Sequence, residues 1–343
     1  MVEADGNAPL LTAQGAGQLM MTTILIAIAA GCASALMFTS IISGVLLSVL
    51  LVYLSPLPLM VAALGWGSTS ALVGGMSAGV VLALSVSFTY GLGFVLTIAA
   101  PAFWLGHISL LAKPAADPPA ANGRDGGLEW YPIGRVVLWA ALIAAFIMIF
   151  AWMTSPNSSE DIAARLRDQA LQSLEALSRA GVQIEDKQRM ASVMARALPL
   201  AAVSATVVMY LLNLWLAGKV AHVSNRLRRP WPDLHSVQLP QTAIAALAAA
   251  LLLSFVGGLL ALLAQMVGAA LVTAYALVGF AVMHALTRSL STGARLWWRL
   301  SVYGAILMFM WPLLLMPILG LLDASFGLRR RFGQPSGPPT PSS

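Results

Sequence analysis

The sequence predicts an all-α fold, a polytopic transmembrane helical bundle of eight or nine spans with a water-side amphipathic helical hairpin. Three observations predict it. Of the 343 residues, 59% are hydrophobic and 9% charged, against about 25% charged in an ordinary soluble domain. Mean hydropathy is +0.83. No Asp, Glu, Lys or Arg occurs from residue 6 to residue 112, an uncharged run of 107 residues, which at about 20 residues per crossing holds roughly four spans. The runs are continuously apolar rather than alternating in polarity, which excludes the strand pattern of a membrane barrel.

The elements follow in order. Residues 1–16 are small and polar and read as a disordered tail. They carry Glu3 and Asp5 but no Lys or Arg, unlike the basic start of a cleavable signal peptide. Span one covers about 17–38 and span two about 40–54. Span two stops at Ser55-Pro56-Leu57-Pro58, because proline lacks the helical donor and disfavours helix at the residue before it. A short apolar piece, 59–65, ends in Gly65-Trp66-Gly67. Spans three and four cover 68–87 and 89–111 and complete a first membrane group, 17–111. A Pro/Ala/Gly/Asp loop over 112–132 closes on Trp130-Tyr131-Pro132, amphipathic rings suited to headgroup depth.

The second membrane group runs from 133 to 322. Span five is 133–153. Residues 158–196 differ in kind: Ser158 or Ser159 can cap a helix with Glu160 and Asp161 in its first turn. Ile162, Leu166, Leu171, Leu174 and Leu177 form its apolar stripe, Gly181 ends it, and a second arm starts near Glu185. This hairpin either packs on the membrane domain or docks a partner. Span six, 197–218, leads to a basic loop over 219–239. Spans seven, eight and nine cover 240–262, 265–286 and 300–322, and residues 323–343 form a basic, then Pro/Ser-rich, disordered tail. Helices alternate sides, so the loops at 113–132, 219–239 and 287–299 share one. It is taken as cytoplasmic because its arginines lie tight against helix ends.

The net charge of +6 does not point to nucleic acid, since the basic residues sit in short loops where membrane topology accounts for them. The lone cysteine, Cys32, offers neither a disulfide framework nor a thiolate metal site. His107, His222, His235 and His284 are far apart in sequence, and no metal site is expected. There is no phosphate loop, HExxH or GxSxG. With intramembrane ionisable groups nearly absent, no catalytic residue, no cofactor and no enzymatic activity are expected. The lipid bilayer is the partner that composition implies.

Candidate ligand-binding residues are few. Tyr53, Pro56, Pro58 and Trp66 mark a broken helix, which in a membrane either lines a ligand cavity or turns at the surface. Asn213, an amide inside span six, either binds a ligand or bridges two helices. His284, near the end of span eight, either bonds a neighbouring carbonyl or meets a ligand. Gly75-Met76-Ser77-Ala78-Gly79 is a small-residue face for close helix packing or dimerisation.

In their order along the chain, several of these features resemble the YybS-like family of bacterial predicted membrane proteins, whose function is unassigned. They are Tyr53 with Pro56-Leu57-Pro58, Gly65 and Gly67, Trp130-Tyr131-Pro132, Asn213, and Arg229-Pro230-Trp231-Pro232. Leu239-Pro240, Gly279 to His284, and Leu319-Gly320-Leu321-Leu322-Asp323 with the arginines of 329–331 continue the series. The resemblance covers roughly 20–330. It implies a multi-pass protein of the bacterial inner membrane, distantly similar to the substrate-binding subunits of energy-coupling factor transporters. Such a protein captures a small-molecule metabolite and relies on partner transporter subunits for ATP hydrolysis. The chain departs from those subunits in its greater length and its long polar hairpin. The alternative expectation is a non-catalytic membrane scaffold or assembly factor acting through the 158–196 hairpin.

Overall fold

The computed structural model describes residues 8–114, 128–154 and 159–332. It is a helical membrane bundle. Among the described residues, seven helices are long and apolar enough to cross a membrane, or eight if one sharply bent pair is counted as a span. Of the eight or nine spans expected, the described residues give at most eight. The chain divides into two compact units: residues up to Tyr131 with Met209–Pro232, and Pro132–Val208 with the residues from Asp233 onward. The segment 209–232 thus belongs with the N-terminal helices.

In the first unit, α1 (Ala8–Thr39) is followed by α2 (Leu46–Leu54) and α3 (Leu57–Trp66). The first helix begins inside the stretch expected to be a disordered tail, and residues 1–7 of that expectation lie outside the described residues. The pieces α2 and α3 form one apolar span, Leu47–Trp66, broken at its middle. Then come α4 (Ser68–Ser85), α5 (Phe88–Phe94), a π turn over Val95–Ala99, and α6 (Ala100–Ser109). The loop after α6 contains a two-stranded antiparallel ribbon, β1 (Ala112–Pro114) and β2 (Leu128–Trp130). Small residues set the packing. A Cβ on Gly74 would strike the backbone of Ala27, one on Gly75 the side chain of Ala99, and one on Gly79 the side chain of Val95. The small-residue face is thus spent on packing α4 within this chain.

In the second unit, α7 (Ile133–Met153) is followed by α8 (Ser159–Arg179). Residues 155–158, where part of the expected helix cap falls, lie outside the described residues. A turn at Gly181, φ +95°, leads to α9 (Lys187–Val223). The hairpin's second arm and span six are one continuous helix, with Pro199 inside it. The hairpin has a small core of Ala170, Leu174 and Ala191, flanked by Leu171, Ile184 and Met194. Of the expected apolar stripe, Leu177 is exposed.

Next comes α10 (Thr242–Leu253), where a full span, 240–262, was expected. Twelve residues rise about 18 Å, short of the roughly 30 Å hydrocarbon core. The chain breaks at Gly257 and Gly258, both at positive φ, and α11 (Gly258–Leu286) runs on as the long central helix of the unit. The last expected span, 300–322, is instead α12 (Thr292–Phe309) and α13 (Leu315–Phe326), bent by 110°. Met310 takes φ +54° at the elbow, and Pro312 removes a donor just after it. The side of Gly279 meets the Met316 backbone, and that of Gly320 the Tyr275 backbone, so α11 and α13 cross in direct backbone contact. The expected disordered tail begins as structure: α14 (Leu328–Phe332) is helical, and residues 333–343 lie outside the described residues.

Candidate functional site

The broken span of the first unit is the centre of a buried polar cluster. The break at Ser55-Pro56 leaves backbone carbonyls without their helical donors, and inside a bilayer each must find another. Asn213 Nδ2 donates to the Tyr53 carbonyl at 2.7 Å and to the Met209 carbonyl at 2.7 Å. Ser34 Oγ donates to the Ser55 carbonyl at 2.6 Å, and Ser55 Oγ to the Val52 carbonyl at 2.8 Å. Asn213, Ser34 and Ser55 are fully buried. One group in the cluster is left over: Asn213 Oδ1 is shielded from solvent and has no donor among the described residues.

A second proline defect lies beside it. Pro101 deprives the Thr97 carbonyl of its helical donor, in the π turn. Tyr210 Oη donates to that carbonyl at 2.8 Å and is itself fully buried. Tyr210 and Asn213 lie three apart on α9 and share one face. That face therefore mends two proline breaks with two neutral side chains. Sequence reasoning found Asn213 and missed Tyr210; the signal was Pro101, which names the orphaned carbonyl four residues earlier.

The other candidate residues are dispersed. The Tyr53 side chain is 44% exposed, so its carbonyl rather than its ring enters the cluster. Pro56 is buried and Pro58 half-buried; they make the break. Trp66 lies ten residues beyond Pro56, at the end of α3, with the Arg226 guanidinium 5.3 Å from its ring centre.

His284 belongs to the second unit. Its Nδ1 lies 2.7 Å from the Phe280 carbonyl, and its Nε2 3.3 Å from Tyr303 Oη. The first contact makes Nδ1 the donor, so Nε2 accepts from the tyrosine when the ring is neutral. The His235 ring is 6.3 Å away, edge-on. His235 Nδ1 lies 3.0 Å from Asp233 Oδ1 and 2.9 Å from Arg288 Nη2. Partial burial pushes the Asp233 carboxyl up, but hydrogen bonds from His235 and the charge of Arg288 outweigh it and hold the group below its usual value. The loop carrying His235 is pinned by Arg329, which donates to the carbonyls of His235 and Val237 and pairs with Asp323 at 2.6 Å. That pair is almost dry, the side chains being 9% and 2% exposed.

A cleft of about 380 Å³ in the same unit lies between α7, α8 and α9, lined by Met148, Trp152, Leu166, Gln169, Met194 and Pro199. Trp152 Nε1 is buried with no acceptor among the described residues. No group of three or more metal-ligating side chains occurs among the described residues.

Residues 32–324 match the family described as predicted membrane protein (DUF2232). No curated protein and no solved structure shows significant similarity to the chain. The chain belongs to the DUF2232 family of predicted membrane proteins.

Proposed function

We propose that this member of the family is a transport-related protein of the bacterial inner membrane that binds a small, neutral or aromatic metabolite at the broken second span. The observation that carries the reading is the spare acceptor Asn213 Oδ1, buried without a partner among the described residues, in a bundle that has no charged residue between residues 6 and 112. A buried unpaired amide oxygen costs about 1–3 kcal/mol, and a ligand N–H or O–H recovers it. The acceptor is sealed from solvent, so the ligand reaches it by parting the helices at the Pro56 break. Uncharged walls favour a neutral ligand over an ion. The sequence has no phosphate loop, so partner subunits with ATPase activity would supply the energy. The resemblance read from the sequence would imply such an arrangement, a capture subunit that depends on partner ATPase subunits.

The test is purification in mild detergent with mass spectrometry of bound small molecules and proteins. The native chain should carry a neutral metabolite that a Pro56→Ala/Pro58→Ala variant and an Asn213→Leu variant both lose at equal expression. Retention of the same metabolite by both variants overturns the site. A second reading is favoured by the exposed Leu177, Val182, Met190 and Val193 of the hairpin: a scaffold that docks another membrane protein there. It predicts a co-purifying protein lost on Leu177→Ser/Val193→Ser substitution, with no bound metabolite.

A further inference from the structure

The charges of the first unit are sorted to one end. Among its described residues the charged side chains are Lys113, Glu129, Lys219, Arg226, Arg228 and Arg229. All lie in or beside the loops that follow α6 and α9. The opposite end, where the chain turns between α1 and α2 and between α4 and α5, carries none. The single acid, Glu129, is already paired with Lys113 at 3.1 Å.

The segment 224–232 is folded back rather than loose. Trp231 lies over Gly218, with the Lys219 ammonium 4.3 Å from its ring centre and the His222 ring 5.4 Å away. Arg226 sits over Trp66. Arg229 is the anchor: it donates to the carbonyls of Ser109 at 3.2 Å and Tyr131 at 2.9 Å, over the Trp130 ring at 6.0 Å. Burial pulls its guanidinium below its usual value. Lys219, Arg226 and Arg228 remain exposed, and none has a carboxylate partner among the described residues. Lys219 and Arg226 sit over tryptophan rings and remain exposed, so their unused donors are open to an anion.

We propose that this end of the first unit binds the headgroups of anionic phospholipids in the cytoplasmic leaflet, through Lys219, Arg226 and Arg228 set among Trp66, Trp215 and Trp231. Tryptophan and cations at the end of an apolar bundle match the depth of the headgroup region. An uncompensated positive surface there is complementary to anionic lipid, at about fivefold in affinity per cation near the surface. Folding the loop onto α9 beforehand lowers the ordering cost of binding.

The test uses the full chain purified in neutral detergent, with retained lipids counted by native mass spectrometry. The probes are dioleoylphosphatidylglycerol, dioleoylphosphatidylcholine and inorganic phosphate. The native chain should prefer phosphatidylglycerol by at least about fivefold, the effect of one such cation. The variant K219Q/R226Q/R228Q should bring the ratio close to one. The charge-keeping K219R/R226K/R228K, and the hairpin variant R165Q/R179Q/R196Q with the same charge loss elsewhere, should leave it unchanged. Equal retention of both lipids by the native chain overturns the proposal, as does a preserved preference in K219Q/R226Q/R228Q. Displacement of phosphatidylglycerol by millimolar phosphate also overturns it, showing an isolated anion site instead of a lipid surface.

Discussion

The two units meet the same difficulty with opposite chemistry. Each has backbone carbonyls without a helical donor, at helix breaks in the first unit and in the loop before α10 in the second. In the first unit the carbonyls of Tyr53, Ser55 and Thr97 are taken by an amide and two hydroxyls, and no ion enters the apolar layer. In the second, the carbonyls of His235 and Val237 are taken by a guanidinium whose charge Asp323 balances. Neutral donors suit positions deep in the bundle, where a charge is expensive. A guanidinium suits a helix end, where one fork can hold two carbonyls and a carboxylate at once. The tolerance to substitution should differ accordingly.

The largest effect should come from splitting the ion pair. Asp323→Ala leaves Arg329 charged and nearly dry, and should cost about 3–5 kcal/mol, read as thermal unfolding in detergent. The double variant Asp323→Leu/Arg329→Met should recover part of that loss; equal loss in the single and double variants breaks the contrast. Next, Asn213→Leu and Tyr210→Phe should each cost about 1–2 kcal/mol. As neighbours on one face of α9 the two should couple, so the double variant should depart measurably from the sum of the singles. A cost above that of Asp323→Ala would mean that neutral mending is the more brittle solution. The smallest effect concerns Asp233, whose carboxyl is held below its usual value. Its interactions are present above the unfolded-state value and are lost as pH falls through the lower folded one. Because the group is half exposed, Asp233→Asn should lower stability only slightly at neutral pH, flatten the acid limb below about pH 4, and leave stability unchanged at pH values where the native carboxyl is already protonated.

Composition carried the fold class, because a bilayer demands apolar length whatever the details of packing. It carried span boundaries less well. The run 240–262 is apolar throughout, and only the positive φ of Gly257 and Gly258 turns it into a short helix and the start of a long one. Pro199 reads as a boundary, yet α9 passes through it. The elbow at Met310 has no glycine to announce it. Within the candidate site, Asn213 was legible because an amide in a span is rare. Its partner was not, because the acceptor is a backbone carbonyl, and those are identical at every position. His284 was legible as an isolated ring. Arg288 follows it within a turn, but His235 and Asp233 come from a loop whose path is fixed by Arg329, nearly a hundred residues further along.

The sorting of charge in the first unit bears on how the protein enters the membrane. Topology is set mainly by lysine and arginine in short loops close to the spans. From residue 6 to residue 112 there are none, so nothing within the first four spans tells the insertion machinery which way to thread them. The basic residue that follows this run is Lys113, in the loop after the fourth span. Within this stretch the topological signal falls to the loop that follows the four spans, and a single lysine placed at Gly44 or Ser87, at their opposite end, would set a competing instruction.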